Sequence, residues 1–297
     1  MPSLKEVRNR ISSVKSTQQI TKAMKMVAAS KLRKAQDAII QMRPFAQKLQ
    51  SILVNISSGN ESEVQSDYAQ ERPPAKVLLV VISSDRGLCG AFNSSIFKKT
   101  VSHIEEQYEE NFNRGDLYIL PLGKKSYEYF KKRDYKVIDD YWEIFSDLSF
   151  DNVREIAEYV MNEFITYEFD RVDLIYNEFK NVATQIQRTE QFLPIPEIEE
   201  EEENEDEHNL DFILEPSAET IINEVIPQSL KIQFYKALLE SNASEHGARM
   251  TAMDKATENA GELLKELTKV YNQTRQAYIT KEILEIVGGA EALEQNG

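Results

Sequence analysis

The turn at residues 83–90 holds the groups of this chain best placed for chemistry, because it follows an apolar segment and precedes a helix-like one. Free backbone amides at such a turn bind phosphate in many α/β folds. The turn reads SSDRGLCG, which is neither G-x-G-x-x-G nor G-x-x-x-x-G-K-[ST]. The later run LGKKS, residues 122–126, lacks the upstream glycine of a phosphate-binding loop. The sequence therefore favours a tight structural turn at 83–90 over a nucleotide site.

Cys89 is the single cysteine, and it would lie near a helix N-terminus, a position that lowers the pKa of a thiol. The three histidines, His103, His208 and His246, have no spacing that predicts pairing with it. No cysteine and histidine cluster has zinc spacing, and no two carboxylates form a recognisable catalytic pair. We therefore expect a protein that is not an enzyme and that uses no metal or cofactor.

Charge is unevenly distributed along the 297 residues, whose formal net charge is −15. Residues 1–50 hold eleven Lys and Arg against two acids, but these cations are scattered around the predicted helix, which favours a solvated surface over a nucleic-acid or lipid site. Glu197 to Glu207 contains nine acids in eleven positions, so we expect a solvated acidic loop at 196–212. Because no glycine punctuates this run, it is a weak candidate for calcium binding.

The longest apolar segment, Val77–Ile82, is far too short to cross a bilayer. Residues 1–16 are basic and almost free of acids, as in a transit peptide, but the apolar register that starts there continues far past any cleavage point. A lone cysteine fits a reducing compartment. We therefore expect no direct membrane insertion, and membrane association only through partner proteins.

A long helix is predicted at residues 1–57. Ser3 and Glu6 have the S-x-x-E form of a capping box, which satisfies free amides at a helix start. Residues then recur at alternating spacings of three and four, as in a coiled coil. The register is Leu4, Val7, Ile11, Val14, Gln18, Thr21, Lys25, Ala28, Leu32, Ala35, Ile39, Met42, Ala46, Leu49, Leu53 and Ile56. Pro44 predicts a kink near Arg43 rather than an end, because the register resumes after it.

Three consecutive register positions, Gln18, Thr21 and Lys25, are polar, and we interpret them as a seam that opens to meet another protein. Met24 and Met26 place adaptable apolar side chains beside these positions, which suits a protein contact. Methionines also fill irregular cores, and the sequence alone leaves these two roles open.

Residues 76–195 predict an α/β domain that follows a polar linker at 57–75. After a buried strand, KVLLVVIS, helix-like and strand-like segments alternate. The predicted helices cover 91–110, 124–132 and 150–168, and the other strands cover 116–122, 135–141, 171–176 and part of 182–192. This alternation predicts a Rossmann-like domain with a mostly parallel sheet and helices on its faces.

A second long helix is predicted at 213–290, with Ser217 as its cap and Gly288–Gly289 as its stop. Pro227 predicts a bend or a break near its start. Three-and-four spacing continues through Met253, Ala256, Ala260, Leu263, Leu267, Val270 and Ala277. Because each terminal helix alone would expose its apolar stripe, we expect the two to pair as an antiparallel coiled coil, with one end of the longer C-terminal helix extending past its partner.

Three segments carry a resemblance to a known family. They are LKEVRNRISSVKSTQQITKAMKMVAASKLRKAQ at the start, SDRGLCGAFN in the first turn of the middle domain, and ASEHGARMTAMDKATENAGELLKELTKVYNQTRQAYITKEILEIVGGAEAL at the end. Together they resemble the gamma subunits of F-type ATP synthases. The acidic run at 197–207 matches no motif of that family.

The resemblance implies a central-stalk rotor that couples proton-driven rotation of a membrane ring to ATP synthesis, without catalysing it, and that regulates ATPase activity and proton flow. The implied partners are a hexamer of alpha and beta subunits, an epsilon subunit and a membrane c-ring, with one copy of this chain per complex. The implied location is peripheral, on the cytoplasmic face of the bacterial inner membrane.

The resemblance also implies contact residues. Those expected to face the alpha and beta hexamer are Met24, Lys25, Arg275, Gln276, Ile279, Thr280 and Ile283. Met24 and Lys25 are expected close to Arg275 and Gln276 of the other helix. Phe212 and Glu215 are expected to contact the epsilon subunit and the membrane ring, and Tyr278 is bulkier than the family pattern suggests.

Two other functions compete with the rotor. In a nucleotide-responsive regulator, residues 76–195 would be the sensor and the coiled coil its output. In a passive adaptor, the coiled coil would only join partner proteins. Shortening the chain from Arg275 onward separates the rotor from the adaptor, because only a rotor would then lose coupling.

Overall fold

The computed structural model describes residues 3–58, 67–195 and 218–295. The chain divides into two compact units. The smaller unit is formed by Met1–Val27 with Met250–Gly297, and the larger unit by Ala28–Arg249. The helices are α1 (Leu4–Ser58), α2 (Phe92–Gln107), α3 (Glu109–Arg114), α4 (Lys124–Lys131), α5 (Phe150–Ile165) and α6 (Ala218–Gln295). The strands are β1 (Val77–Ile82), β2 (Leu117–Leu122), β3 (Lys136–Val137), β4 (Arg171–Asn181) and β5 (Thr184–Leu193). None of the helices so described is long and apolar enough to cross a membrane.

The predicted capping box forms at the start of α1. The amide of Glu6 donates to Ser3 Oγ at 3.2 Å, and the amide of Ser3 donates to Glu6 Oε2 at 2.9 Å. The helix continues through Pro44 to Ser58, so the proline does not end it. These reciprocal bonds satisfy two amides that a helix start would otherwise leave free.

The C-terminal helix has no break at Pro227, and the predicted stop at Gly288–Gly289 is wrong. Pro227 lies inside α6 without breaking it, and the helix passes the predicted stop at Gly288–Gly289 to end at Gln295. Each glycine costs a helix only about 1 kcal/mol relative to alanine. The following residues, AEALEQ, are strong helix formers, so the helix continues through the glycines instead of stopping.

The predicted register of α1 is the face that the helix buries. From Leu4 to Met42, every register position is buried or half-buried. In the smaller unit these positions include Val7 and Thr21, which are buried, and Thr21 contacts Thr257 of α6. In the larger unit they include Leu32 and Ala35, which pack with Ala243 of α6. The terminal helices therefore pair in both units, as the spacing predicted.

The sheet has the strand order β3-β2-β1-β4-β5. Strands β1 to β4 run parallel to one another, and β5 pairs antiparallel with β4. The connection between β4 and β5 spans only Val182 and Ala183, which is too short for the crossover that a parallel pair needs. The prediction of a mostly parallel sheet is therefore confirmed, with an antiparallel strand at one edge.

The sheet is covered on both faces. On one face, residues such as Leu78, Leu120 and Leu174 pack with α5 and with α6 residues such as Phe234. On the other face, residues such as Leu79 and Ile175 pack with α2 and α4. Because both faces are covered, β1 is a continuous apolar run with all six residues fully buried.

Two middle elements are shorter than predicted. The strand expected at 135–141 is limited to Lys136–Val137, and the acidic pair Asp139 and Asp140 lies beyond its end. The helix expected at 91–110 is interrupted at Tyr108, whose φ of −132° is not helical. The Tyr108 hydroxyl donates to Asp173 Oδ2 at 2.7 Å, so tertiary bonding holds this residue at the break.

Candidate interaction surface

The polar register positions of α1 bind across the seam to α6. Thr21 Oγ1 lies 2.8 Å from Thr257 Oγ1, and Gln18 Nε2 donates to the carbonyl oxygen of Thr257 at 3.4 Å. Lys25 Nζ lies 2.5 Å from Asp254 Oδ1. Thr21 is only 9 % exposed. The seam is therefore closed by hydrogen bonds at these positions, and the prediction that it opens there is wrong.

The same contacts fix the antiparallel register of the smaller unit. Lys25 lies opposite Asp254, and Arg8 Nη2 lies 3.5 Å from Tyr271 Oη. Arg275 lies about 30 Å beyond Asp254 along α6, at 1.5 Å per residue. The expected proximity of Met24 and Lys25 to Arg275 and Gln276 is therefore wrong, since these two groups lie at different levels of the coiled coil.

Removing the Thr21 and Thr257 hydroxyls tests the closed seam. Each hydroxyl also lies within bonding distance of a carbonyl of its own helix, but their 2.8 Å contact across the seam should couple Thr21→Val and Thr257→Val by about 1 kcal/mol in the free energy of unfolding. Chemical denaturation of the two single variants and the double variant measures this coupling. Thr17→Val is the control, because Thr17 is exposed and its Oγ1 bonds to the Ser13 carbonyl of its own helix. If Thr17→Val is coupled to Thr257→Val as strongly as Thr21→Val is, the closed seam is contradicted.

The outer side of α1 near Met24 is apolar. Met24 is half-buried, while Ile20, Met26 and Val27 are 57–60 % exposed. Lys25, which lies beside them, is already paired with Asp254 of α6. A partner protein would therefore meet the apolar side chains here. The sequence left the role of the methionines open, and the exposure of Met26 favours a contact role over core filling.

The end of α6 extends past the start of α1. From Arg275 to Ala290 every residue is exposed, including Gln276 and Thr280. We call this segment the α6 tip. Its large apolar side chains are Tyr278, Ile279, Ile283, Leu284, Ile286 and Val287, each 46–67 % exposed. A single helix that exposes so many large apolar side chains is typical of a segment that a partner covers.

The turn at 83–90 uses the amides at the start of α4 within the chain. Lys124 N donates to Asp85 Oδ1 at 3.1 Å, and Lys125 N donates to the Ser84 carbonyl at 3.0 Å. Ser126 N donates to Ser83 Oγ at 2.8 Å. These amides, in the run LGKKS, are therefore satisfied without an anion, so the start of α4 offers a phosphate none of these three donors.

Helix α6 also contacts this turn through Arg249. Its Nη2 donates to the Arg86 carbonyl at 2.8 Å, and its Nη1 pairs with Glu245. Burial raises the pKa of Glu245, and the charge of Arg249 opposes this rise. Burial, together with the nearby charges of Arg249 and Lys31, lowers the pKa of His246 to about 4. The spacing of Glu245 and Arg249, four apart on a helix, was the one sequence signal for this pair.

The surroundings of Cys89 and His103 differ from those that the sequence indicated. Cys89 is buried, and burial raises the pKa of its thiol, so its position near α2 does not activate it. His103 Nε2 donates to Asp173 Oδ2 at 2.9 Å, although the sequence indicated no partner for it. His103 and Asp173 lie far apart in the chain, on a helix and a strand, so no local pattern could reveal the pair. Within the three described ranges, no group of three or more His, Cys, Asp or Glu could hold a metal ion.

The structure thus separates the predicted contact residues into two groups. Met24 and Lys25 lie on the paired part of the coiled coil, and the others lie on the unpaired α6 tip. Tyr278 is 61 % exposed, so its bulk meets no obstacle within the described chain. Phe212, Glu215 and the acidic loop at 196–212 lie outside the described residues.

Comparison with known proteins identifies close relatives over the whole chain. A protein-family model described as ATP synthase matches residues 3–293. The chain is 58 % identical to the ATP synthase gamma chain of Cytophaga hutchinsonii, over 99 % of each chain. It is 50 % identical to that of Amoebophilus asiaticus, over 99 % of this chain and 100 % of the relative. It also resembles, at 28 % identity and a TM-score of 0.57, a chain in a structure of the Tetrahymena thermophila mitochondrial ATP synthase central stalk and c-ring, covering 80 % of this chain and 99 % of that one.

Proposed function

This chain belongs to the ATP synthase gamma chain family, and we propose that it is the central-stalk rotor that couples proton-driven rotation of a membrane ring to ATP synthesis. In this role the chain carries no catalytic residue. It transmits rotation to catalytic sites on the beta subunits, and through the same contacts it regulates ATPase activity and proton flow.

The observation that carries this proposal is the exposed α6 tip beyond a closed coiled coil. A rotor needs a stiff shaft, and the hydrogen-bonded layer at Thr21 and Thr257 ties its two helices together. A rotor also needs a surface that its housing encloses, and the tip exposes apolar side chains such as Ile279 and Ile283 on a single helix. A passive adaptor would not require both features at one end of the chain.

The proposed partners follow from these surfaces. The α6 tip, from Arg275 through Gln276, Ile279, Thr280 and Ile283, would turn inside the alpha and beta hexamer. Met24 and Lys25 would face the hexamer at a lower level of the shaft. Phe212 and Glu215 would contact the epsilon subunit and the c-ring, which places the chain at the membrane only through its complex, on the cytoplasmic face of the bacterial inner membrane.

Assembly and cross-linking test the rotor. Mixed with alpha and beta subunits, the chain should be retained at one copy per hexamer. In a Cys89→Ser background, which removes the only native thiol, Met24→Cys should form cross-links to beta subunits in the assembled complex. Glu110→Cys is the control, because Glu110 is exposed on α3, outside the proposed contacts.

Two results would contradict the proposal. The first is a hexamer that never retains the chain. The second is an assembled complex in which the Met24 and Glu110 variants cross-link to the beta subunits equally well.

A further inference from the structure

A half-buried carboxylate, Glu240, lies where α6 packs on the β4–β5 hairpin. Helix α6 contacts the hairpin on both sides of Glu240 along the chain: the rings of Phe192 and Phe234 have centroids 5.5 Å apart, and a methyl group added at Gly247 would lie 3.2 Å from Phe179. Glu240 Oε2 is fully buried and has no hydrogen-bond partner in the described chain. A buried acceptor without a partner is costly, and most of all when it carries charge.

The charged groups around Glu240 do not neutralise it. Two further carboxylates face it from the hairpin, Glu178 on β4 and Glu190 on β5. Arg188 of β5 is already bonded to Glu178, with Nε 2.6 Å from Oε2. The remaining cation, Lys236, is exposed one turn earlier on α6. The contact therefore holds three carboxylates and two cations. One of these cations is bonded to Glu178, and the other is exposed to solvent.

Hydrogen bonding in the hairpin adds to this imbalance. Tyr176 is fully buried, and its hydroxyl donates to Glu190 Oε1 at 2.9 Å. In that bond Glu190 is the acceptor, so it offers Glu240 no hydrogen-bond donor in return. Burial raises the pKa of Glu240 above its ordinary value, and Glu178 and Glu190 raise it further, against the opposing charges of Lys236 and Arg188.

We propose that Glu240 is a proton-binding latch, which tightens the contact between α6 and the β4–β5 hairpin when it takes up a proton. Protonation removes one of three like charges and turns the orphaned Oε2 into a hydroxyl that can donate to a neighbouring carboxylate. The proposal concerns the larger unit alone and does not depend on the function proposed for the chain.

The sign of the pH dependence follows from linkage. Because the pKa of Glu240 is raised in the folded chain, its ionised form destabilises the fold at pH values above that folded pKa. As the pH falls from there toward the ordinary glutamate value, the folded chain takes up the proton first and the penalty is lost. Each unit by which the folded pKa exceeds the unfolded one changes the unfolding constant by about tenfold.

The test compares full-length wild-type chain with Glu240→Gln, a neutral side chain of the same shape, by urea unfolding from pH 8 to pH 4.5. We expect Glu240→Gln to raise the unfolding midpoint at pH 8 and the difference to shrink steadily toward pH 4.5. Glu224→Gln is the matched control on α6, where Glu224 is exposed, and it should leave the midpoint unchanged throughout.

Hydrogen exchange of the wild-type chain gives a second readout that needs no variant. Amides of β4 and β5 should be better protected at pH 5 than at pH 8 after correction for the intrinsic exchange rate. The latch is overturned if Glu240→Gln unfolds at the same or lower urea concentration than wild type at pH 8. It is equally overturned if hairpin protection, so corrected, does not rise as the pH falls.

Discussion

A chain that ends at Thr274 should fold as stably as the full chain but lose coupled ATP synthesis at least about tenfold once assembled. The removed α6 tip is exposed at every residue from Arg275 to Ala290, so its loss removes little packing from the isolated chain. In the assembly, burying an isoleucine such as Ile279 or Ile283 contributes about 1.5 to 3 kcal/mol, and a tenfold effect needs only about 1.4 kcal/mol. Thermal unfolding of the isolated chain and ATP synthesis by reconstituted vesicles measure the two parts.

A paired substitution separates the role of the tip from its length. Ile279→Ser with Ile283→Ser keeps α6 intact while removing apolar surface, and it should reproduce much of the loss in coupling. Lys281→Ala is the control on the same helix, since that side chain is 76 % exposed and its ion pair is with Glu285, four residues later on α6. If the shortened chain couples rotation to ATP synthesis as well as the full chain does, the tip is not the part of the rotor that the hexamer encloses.

The coiled coil was predictable because its signal is periodic. The three-and-four register from Leu4 to Met42 identifies the buried face of α1, even when the helix that packs against it is unknown. The register could not tell what the polar positions do. Thr21 has a hydroxyl that could face water or a second hydroxyl, and only the alignment of α1 with α6, which brings Thr257 opposite, decides between them.

Helix ends and pairings between distant residues were harder to predict. Gly288–Gly289 has the local chemistry of a stop, yet the helix formers after it carry α6 to Gln295. The break at Tyr108 has no local signal, because the bond that holds it reaches Asp173, a residue on a strand far along the chain. The helix lengths predicted that one end of α6 extends past its partner, but the apolar spacing of the tip matches a paired helix and did not tell which end is unpaired.

Replacing Asp173 by asparagine should lower the free energy of unfolding of the larger unit by about 3 kcal/mol. Asp173 is 1 % exposed and accepts hydrogen bonds from His103, Tyr108 and Arg171 at 2.7 to 3.2 Å. An asparagine amide would point its own donors at one of these donors and remove the charge that pairs with Arg171. Chemical denaturation measures the change, and Asp116→Asn is the control, since Asp116 is 40 % exposed and lies 4.0 Å from its partner Arg114.

The effect of this substitution should depend on pH in a defined direction. Burial by itself would raise the pKa of Asp173, but the bonds from His103 and Tyr108 and the charge of Arg171 outweigh burial, and the pKa lies below its ordinary value. A carboxylate with a lowered pKa stabilises the fold above its unfolded pKa, and that contribution is lost as the pH falls through the folded value. The difference in the free energy of unfolding between wild type and Asp173→Asn should therefore be largest at neutral pH and should shrink in acid. A gap that stays constant into acid would mean that the charge of Asp173 contributes nothing, and that shape alone holds α2 to the sheet.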